Sequence, residues 1–366
     1  MTVKGGVILV IADMGSGGAQ QVVSQLAGHW AAAGRRVGLL TLAASDTDFF
    51  KVDGKVERHF VGGIGASHSL VERLTRNVRR VLAIRRALRA FNGDTAIGFV
   101  APTNVLLILA SCGLGLRVVV SERNYPARQS FGTFWDFLRR LLYRRADLVS
   151  ANSRSALQTL RAYVPDEKLV YLPIPLRSAR TSPVQDGARV PIILNVGRLH
   201  RQKGQDLLIR AFAATAAELP GWRLCIVGEG GERANLQGLI SSLSLDGRVE
   251  LVGQTVDPFV WYRRASIFAF PSRFEGTPNA LLEAMSCGLP VAVSDMAPSV
   301  LELVRDGHEG LVASGEDVGS ISRAIRVLAQ DESLRARLGA AASALASRFA
   351  PPAALQAWDK ALWPAP

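Results

Sequence analysis

Short apolar runs alternate with helical segments along most of the chain. Val7–Ile11 and Ile192–Val196 are each followed by a glycine-containing loop and then by a helical pattern. Uninterrupted apolar runs of this length are typical of buried parallel strands, which need a helical crossover between them. The pattern therefore predicts an α/β protein built from doubly wound sheets.

Two such series are separated by a proline-rich stretch between Pro173 and Pro191. A change of composition of this kind marks a linker between domains, and 366 residues suffice for two of them. We predict an N-terminal domain over residues 1–175 and a C-terminal domain over residues 176–350, facing each other across a cleft. The tail, about residues 351–366, is expected to pack back on the N-terminal domain.

Positive charge is concentrated in the first half of the chain. Residues 1–180 carry 25 Lys and Arg against 12 Asp and Glu, whereas residues 181–366 carry 18 against 19. Such an asymmetry points to an anionic partner for the first half, and nucleic acid, a membrane surface and a phosphorylated lipid all qualify. No pattern of a nucleic-acid-binding module is present, so we expect no nucleic acid partner.

Two segments of the first half combine arginines with apolar residues at helical spacing. Residues 71–91 and residues 131–145 both follow this pattern, and the second is rich in aromatic residues. A basic amphipathic helix either packs on a core with a solvated arginine face or lies on an anionic membrane surface. Because two such segments occur in the same half, we favour binding to an anionic membrane surface.

The remaining composition favours a cytoplasmic location. Cys112, Cys225 and Cys287 lie in apolar or helical contexts without metal-ligand spacing, which predicts reduced core thiols. The N-terminus does not have the pattern of a signal peptide. The longest apolar stretch, Val105 to Leu116, is interrupted by polar residues and glycines and is too short to span a bilayer.

Two short motifs of the first half could bind phosphate or metal. In the loop after Val7–Ile11, Gly15 and Gly17 match a dinucleotide-binding fingerprint, but Gln20 replaces its third glycine, so a plain tight turn explains the loop as well. Asp46-Thr47-Asp48 could bind a divalent metal, but its polar context favours a solvated loop.

The stretch from Phe274 to Pro290 predicts an anion-binding helix N-terminus. Thr277 is a favourable N-cap and Pro278 suits the first helical position, so free amides would face a diphosphate. Two carboxylates flank this position, Glu275 in the loop and Glu283 in the helix, and Asn279 shares a helix face with Glu283.

Cationic residues follow another predicted strand of the second half. Arg198 and Lys203 lie in the loop after Ile192–Val196, where both can reach a diphosphate and neutralise the charge that develops on a leaving group. Gly228-Glu229-Gly230 ends a further strand of the same series. The carboxyl ends of parallel strands are where such folds bind ligands, so we expect these loops to form one site.

Taken together, these motifs resemble glycosyltransferase family 4, a group of retaining enzymes with the GT-B fold that use nucleotide sugars. The resemblance covers most of residues 1–350 and is densest in 190–315. It implies that Arg198 and Lys203 hold the donor diphosphate, that Glu275 faces the transferred sugar, and that Glu283 binds the ribose. It also implies backbone contacts to the substrates from three glycine-containing segments. Gly17 and Gly18 would approach the donor phosphate or the acceptor, and the donor would further be contacted by Gly228, Glu229, Gly276, Thr277, Pro278, Asn279 and Ala280.

The chain departs from the family pattern after the apolar run Val118–Val120. Many relatives carry a histidine there, whereas this chain has Ser121-Glu122-Arg123-Asn124 with Arg123 at the histidine position. This form resembles a subset that acts on lipid-linked oligosaccharides and surface polysaccharides. Arg123 or Glu122 is then expected to contact acceptor or sugar, and a structural ion pair of Arg123 with Glu122 or another acid is the alternative.

The resemblance implies a hexosyltransferase-class enzyme that moves a sugar, with retention, from a uridine diphosphate sugar to a lipid-linked or glycan acceptor. It implies neither a cofactor nor a metal ion, because the cationic side chains and helix amides can stabilise the leaving diphosphate. The expected location is the cytoplasmic face of the membrane. A nucleotide-sugar epimerase of the same fold and a non-catalytic, membrane-recruited binding protein are the alternatives.

Overall fold

The computed structural model describes residues 5–44, 48–62, 70–177 and 188–364. The chain forms two compact units, one comprising Met1–Pro173 with Leu355–Pro366 and the other Ile174–Ala354. Residues 178–187 of the predicted linker and Asp46-Thr47 of the predicted metal motif lie outside the described residues.

The first unit is a seven-stranded sheet with helices in the crossovers. Its strand order is β3-β2-β1-β4-β5-β6-β7, and every recorded pairing is parallel. The elements are β1 (Val7–Ile11), α1 (Gly18–Ala32), β2 (Val37–Thr41), β3 (Glu57–Phe60), α2 (Leu70–Phe91), β4 (Thr95–Phe99), α3 (Ala101–Ser111), β5 (Arg117–Glu122), α4 (Thr133–Leu142), β6 (Leu148–Ala151), α5 (Arg154–Leu160) and β7 (Leu169–Tyr171).

The second unit repeats this architecture with a six-stranded parallel sheet of order β10-β9-β8-β11-β12-β13. Its elements are β8 (Ile192–Val196), α6 (Gln205–Thr215), β9 (Arg223–Val227), α7 (Arg233–Ser242), β10 (Val249–Gly253), α8 (Phe259–Arg264), β11 (Ile267–Phe270), α9 (Asn279–Ser286), β12 (Val291–Ser294), α10 (Pro298–Leu301), β13 (Gly310–Ala313), α11 (Val318–Gln330) and α12 (Glu332–Ala346). A final helix, α13 (Pro351–Leu362), follows.

The order of strands reverses once in each sheet. In the first sheet β1 pairs with both β2 and β4, and in the second β8 pairs with both β9 and β11. At such a point the loops that leave two adjacent strands diverge to opposite faces and open a crevice for a ligand. In the second unit this brings the loop after β8 beside the loop after β11, although the strand ends Val196 and Phe270 are 74 positions apart in the sequence.

Helix α13 packs on the first unit through aromatic residues. Trp358 is completely buried, its ring stacks on that of Phe99 at 6.2 Å, and it meets Trp30 edge-on at 6.5 Å. Its Nε1 donates a hydrogen bond to the carbonyl of Pro173 at 3.1 Å. The last helix is therefore part of the core of the first unit.

The doubly wound α/β architecture predicted from the apolar runs is confirmed in both units. The short charged strand β3 and the glycine-led β13 have no long apolar run and were not predicted. The prediction that all three cysteines are core thiols is wrong for Cys112, which is exposed after α3, whereas Cys225 is buried and Cys287 half-buried. Within the described parts of the chain, no helix is long and apolar enough to cross a bilayer.

Candidate active site

Lys203 and Glu275 form the centre of the site in the second unit. The Lys203 ammonium Nζ lies 2.7 Å from Glu275 Oε1, and the two side chains are 20% and 8% exposed. The two residues come from the loops after β8 and β11, which the sheet places side by side. The contact is a charge-assisted hydrogen bond in a partly desolvated position, which is stronger than a surface ion pair.

The loop that carries Lys203 is a tight turn fixed by its backbone. Arg201–Lys203 form one turn of 3₁₀ helix, and the His200 side chain caps it by accepting a hydrogen bond from the N–H of Gln202. Gly204 follows with φ +67°, and a Cβ there would lie 2.1 Å from the carbonyl oxygen of Pro271. Only glycine permits this approach, which holds the two loops together.

The loop that carries Glu275 is held by residues that the sequence analysis did not single out. Gln202 donates from Nε2 to the carbonyl of Phe274 at 2.8 Å and accepts at its own carbonyl from the N–H of Arg273 at 2.8 Å. Ser299 donates its hydroxyl to the carbonyl of Glu275 at 3.1 Å. These bonds fix the backbone on both sides of the carboxylate and so fix its direction.

Arg273 anchors the same loop to the rest of the unit. Its guanidinium contacts Asp206 at 2.8 Å and Glu316 at 3.0 Å, and the hydrogen bonds that it donates to Asp206 and then to Glu316 raise the pKa of Arg273 above its ordinary value. No motif distinguishes Arg273 in the sequence, because its two partners come from other elements.

Helix α9 begins one residue later than predicted. Pro278 is the N-cap, without a side-chain cap bond, and Asn279 is the first helical residue, so the prediction of Thr277 as N-cap is wrong. Pro278 has φ −80° and ψ 96°, an extended conformation compatible with the N-cap position. Amides of the first turn still lack intrahelical partners, as a phosphate site at a helix N-terminus requires.

Asn279 and Glu283 lie one turn apart on α9, as their spacing predicts. The Nδ2 atom of Asn279 is buried and has no hydrogen-bond partner among the described residues. Glu283 is buried, and its Oε2 accepts a hydrogen bond from the hydroxyl of Tyr262 at 3.2 Å. Burial and the neighbouring carboxylate raise the pKa of Tyr262 well above its ordinary value, so the phenol stays protonated and donates.

Gly228 and Gly230 allow two backbone segments to approach closely. Gly228 has φ +147°, and a Cβ there would lie 2.0 Å from the carbonyl oxygen of Gly197; a Cβ on Gly230 would lie 2.2 Å from that of Leu199. Glycine is therefore needed at both positions so that this segment can pack against the loop after β8. Glu229 between them is exposed and contacts Arg233 at 2.6 Å, so in this structure it is engaged in an ion pair.

Arg198 is exposed and, among residues 188–364, takes part in no ion pair within 4.0 Å. Its carbonyl accepts a hydrogen bond from Nε2 of Gln205 at 3.1 Å, which fixes the backbone and leaves the guanidinium in solvent. The site thus has one half-buried cation paired with a carboxylate and one exposed cation.

In the first unit, the glycine loop after β1 folds around Asp13. Asp13 Oδ1 accepts hydrogen bonds from the N–H of Gly15 and from Gln20 Nε2, both at 2.9 Å. Gly17 is the N-cap of α1, and a Cβ there would lie 2.3 Å from Gln20 Oε1. Gly17 and Gly18 are exposed, so their amides at the start of α1 face solvent.

The carboxyl end of β4 holds a strained residue. Val100 has φ +71°, which is unusual for a β-branched side chain, and its N–H donates to the carbonyl of Ser121 at 3.3 Å. Strain of this kind is concentrated at functional sites, because surrounding structure must maintain it. Nothing in the sequence reveals it.

Glu122 is completely buried in a polar network. Its Oε2 accepts from the Tyr143 hydroxyl at 3.0 Å, and Arg139 Nη1 lies 3.9 Å away. Asn104 donates to the same tyrosine hydroxyl at 2.9 Å. Burial raises the pKa of Glu122, and the charge of Arg139 opposes this effect. No motif distinguishes Tyr143, Arg139 or Asn104 as a neighbour of Glu122, because all three lie on helices or at their ends, away from β5 in the sequence.

Arg123 does not form the structural ion pair with Glu122 that was the alternative explanation for it. No contact within 4.0 Å joins their charged groups among the described residues, and the carboxylate faces Tyr143 and Arg139 instead. The Arg123 Nε and Nη1 atoms are buried, and no residue in the described part of the chain forms a hydrogen bond with either. Of the motif Asp46-Thr47-Asp48, for which a metal site or a solvated loop was predicted, the structure describes Asp48. Its carboxylate contacts the Arg58 guanidinium at 2.9 Å.

Comparison with known proteins identifies the family. Residues 17–175 match the model of the "Glycosyl transferase 4-like domain", and residues 184–344 that of "Glycosyl transferases group 1". The chain is 30% identical over 264 residues, 67% of its length, to a GDP-mannose-dependent α-(1-6)-phosphatidylinositol monomannoside mannosyltransferase of Mycolicibacterium smegmatis, of which 69% is covered. The chain belongs to the family 4-like glycosyltransferases.

A second relative matches this glycosyltransferase over nearly its whole length. It is the N-acetylgalactosamine-N,N'-diacetylbacillosaminyl-diphospho-undecaprenol 4-α-N-acetylgalactosaminyltransferase of Campylobacter jejuni, 28% identical over 89% of this chain and 91% of the relative. Among solved structures, Anabaena HepE in complex with UDP and glucose superimposes with a TM-score of 0.82 at 21% identity, covering 98% of this chain and 99% of that one. The likeness shows that the glycosyltransferase has the GT-B fold.

The structure brings together part of the predicted site of this glycosyltransferase. Lys203 and Glu275 are in contact, and the start of α9 with Glu283 follows Glu275 directly. Glu229 points into an ion pair with Arg233, and Arg198 reaches solvent. Four further residues hold the Glu275 loop or the Glu283 side chain in position and were not predicted from the sequence: Gln202, Arg273, Ser299 and Tyr262.

Proposed function

We propose that this glycosyltransferase moves a sugar with retention from a uridine diphosphate sugar to a lipid-linked or polysaccharide acceptor at the cytoplasmic surface of a membrane. The observation that carries the donor half of the proposal is the Lys203–Glu275 contact of 2.7 Å beside the N-terminus of α9. It joins a cation, a carboxylate and free helix amides, the groups that a sugar diphosphate needs.

In this proposal the donor diphosphate is held by Lys203, Arg198 and the amides of Gly276 to Ala280. Glu275 accepts hydrogen bonds from hydroxyls of the transferred sugar, and Glu283 accepts them from the ribose. Lys203 exchanges part of its contact with Glu275 for a phosphate oxygen when the donor binds. Because these cations stabilise the leaving diphosphate, the proposed reaction requires no metal ion.

The proposed chemistry is a front-face substitution. The bond from the sugar to the diphosphate breaks and the acceptor hydroxyl bonds to the same carbon from the same face, while the leaving diphosphate takes the hydroxyl proton. No carboxylate is assigned as a nucleophile of the two-step retaining mechanism. Catalysis then depends on positioning and on charge stabilisation by Lys203 and Arg198.

The proposal of a lipid-linked acceptor is supported by the relatives and by the charge of the first unit. The two relatives described above act, by their names, on undecaprenol-linked and phosphatidylinositol-linked acceptors. On α2, a cavity of about 440 Å³ is lined by Arg76, Arg79, Arg80 and Arg86. Burial and the charge of Arg76 lower the pKa of Arg80, as expected where cations outnumber anions.

The proposal of membrane binding is supported by exposed apolar side chains on the same unit. Phe134 and Phe137 of α4 are 52% and 63% exposed, and Val78 and Leu82 of α2 are 51% and 49% exposed. Helix α3 packs against both α2 and α4, so the two helices flank it on one face of the sheet. Apolar and aromatic side chains beside arginines match the interface of an anionic bilayer.

The donor half is tested with a panel of nucleotide sugars and a lipid-diphosphate acceptor, by following nucleoside diphosphate release. We expect release that requires acceptor, and a loss of about 100-fold or more in kcat for Glu275→Ala and Lys203→Ala. Glu218→Ala, an exposed carboxylate paired with Arg326, is the matched control and should be unchanged. Full activity of Glu275→Ala would contradict the assignment of the site.

The same panel separates the alternatives. An epimerase would convert the donor sugar without releasing nucleoside diphosphate, and a binding protein would do neither. The membrane surface is tested by sedimentation with vesicles containing about 30% anionic lipid at low salt. We expect wild type to sediment and Phe134→Ser/Phe137→Ser to remain in solution; equal sedimentation of both would contradict the assigned surface.

A further inference from the structure

Arg123 occupies an electrostatically unfavourable position for a structural residue. It follows the last residue of β5, where the sheet of the first unit presents the carboxyl ends of its strands. Its Nε and Nη1 atoms are buried, and neither has a hydrogen-bond partner among the described residues. Burial lowers the pKa of Arg123 to about 10, and only the charges of Glu122 and Tyr171 oppose this.

The carboxylate of the adjacent residue, Glu122, is engaged elsewhere through its Oε2 atom. Glu122 accepts the hydroxyl of Tyr143 at 3.0 Å and faces Arg139, itself only 3% exposed, at 3.9 Å. Arg139 also donates from Nη2 to the carbonyl of Pro126 at 3.1 Å, which ties the loop after Arg123 to α4. The network therefore fixes the backbone on both sides of Arg123, and among the described residues it leaves the Nε and Nη1 atoms of this half-buried side chain without a hydrogen-bond partner.

Guanidinium nitrogens that are buried without a hydrogen-bond partner cost stability, because their lost hydration is not replaced. Guanidinium groups also match the geometry of carboxylates and phosphates better than any other side chain. A cation with buried, unbonded nitrogens at the sheet edge where ligands bind is explained if an anionic group of the substrate accepts hydrogen bonds from those nitrogens.

We propose that Arg123 binds an anionic group of the substrate, a phosphate or a carboxylate, and thereby determines which substrates react. This proposal rests on the proposed function, because the anionic group would belong to either the donor or the acceptor of that reaction. The anion has two possible sources: the diphosphate of a lipid-linked acceptor, or a carboxylate on the transferred sugar.

Two matched substrate pairs distinguish the sources. One pair compares an acceptor saccharide on a lipid diphosphate with the same saccharide on a neutral alkyl chain. The other compares UDP-glucuronate with UDP-glucose. For Arg123→Met we expect kcat/KM to fall by about 30-fold or more for the anionic member of one pair, and by less than about threefold for its neutral member. The pair that responds identifies the source.

Two further variants sharpen this test. Arg123→Lys keeps the charge but not the planar donor group, so it should recover part of the loss. Arg161→Met removes an exposed arginine that pairs with Asp166, and it should leave both pairs unchanged. An equal loss for the anionic and neutral members of both pairs, or no loss at all, would overturn the proposal.

Two binding and stability measurements remain informative even if no donor is turned over. Removing an uncompensated buried charge should leave the Tm of Arg123→Met equal to or above that of wild type, whereas loss of a structural ion pair would lower it. With UDP present in excess, inorganic diphosphate should raise the Tm of wild type and Arg161→Met more than that of Arg123→Met. A lower Tm with an unchanged response to diphosphate would contradict the inference; absent turnover alone would contradict only the proposed function.

Discussion

Lys203 and Glu275 are separated by 72 positions in the chain, yet their side chains meet at 2.7 Å in a partly buried position. The pairing of β8 with β11 brings their loops together, and Gly204 permits the close packing of those loops. The contact compensates the lysine charge in its partly buried position, and it holds the carboxylate in a single direction.

A double-mutant cycle on this pair should show strong coupling. Lys203→Met or Glu275→Gln alone leaves a half-buried charge without its partner, whereas the double variant removes both charges. We expect a coupling of about 1–3 kcal/mol in the free energy of unfolding, measured with urea. Additive effects of the two substitutions would mean that the pair does not form in solution.

The hydroxyl of Tyr262 should matter for recognition of the ribose. Its hydrogen bond of 3.2 Å orients Glu283, so Tyr262→Phe should raise the Kd for UDP by about 5- to 20-fold. The Kd for 2′,3′-dideoxy-UDP should not change, because that ligand offers no ribose hydroxyl to Glu283. Equal weakening for both nucleotides, measured by calorimetry, would show that the tyrosine acts on stability alone.

Gly228 should not tolerate a side chain. A Cβ would lie 2.0 Å from the carbonyl of Gly197, and φ of +147° disfavours other residues. Gly228→Ala is therefore expected to lower the free energy of unfolding by about 2 kcal/mol or more and to weaken donor binding. Gly231→Ala is the matched control, since its Cβ would meet no atom within 4 Å. Similar denaturation midpoints for both variants would contradict this account.

We expect the contribution of His200 to the free energy of unfolding to be lost at acid pH. Its Nδ1 accepts a hydrogen bond from the N–H of Gln202 at 3.2 Å, which requires a neutral ring. Burial and then the charge of Arg198, with a smaller contribution from Lys203, lower the pKa of His200 from 6.5, and Glu232 acts in the opposite direction. The folded state thus binds the proton less readily than the unfolded chain.

The sign of the effect follows from that difference. The contribution of His200 to stability is fully present above its unfolded pKa of 6.5 and is lost as pH falls toward the lower folded value. Serine keeps a capping oxygen but does not titrate, so His200→Ser is the control. The difference in unfolding free energy between wild type and variant should shrink between about pH 8 and pH 5. Parallel pH profiles would contradict this prediction.

The predicted fold could be obtained from the sequence because its signals are local. Apolar runs such as Val7–Ile11 are buried on both faces, and this pattern needs no knowledge of neighbours. The strand β3, Glu57–Phe60, was missed because it is charged and only half-buried at the edge of the sheet. The start of α9 was misplaced because Thr277 and Pro278 are both acceptable near a helix N-terminus.

The sequence by itself determined two doubly wound units and the residue types of the candidate donor site, because strand, loop and helix signals depend on adjacent residues. Only the tertiary structure decided which side chains meet. It paired Lys203 with Glu275 and placed Tyr262 on Glu283. It also directed Glu122 toward Tyr143 and Arg139, and no described residue accepts a hydrogen bond from Nε or Nη1 of Arg123. These contacts join residues from different elements, and their energies depend on burial and distance, which exist only once the chain has folded.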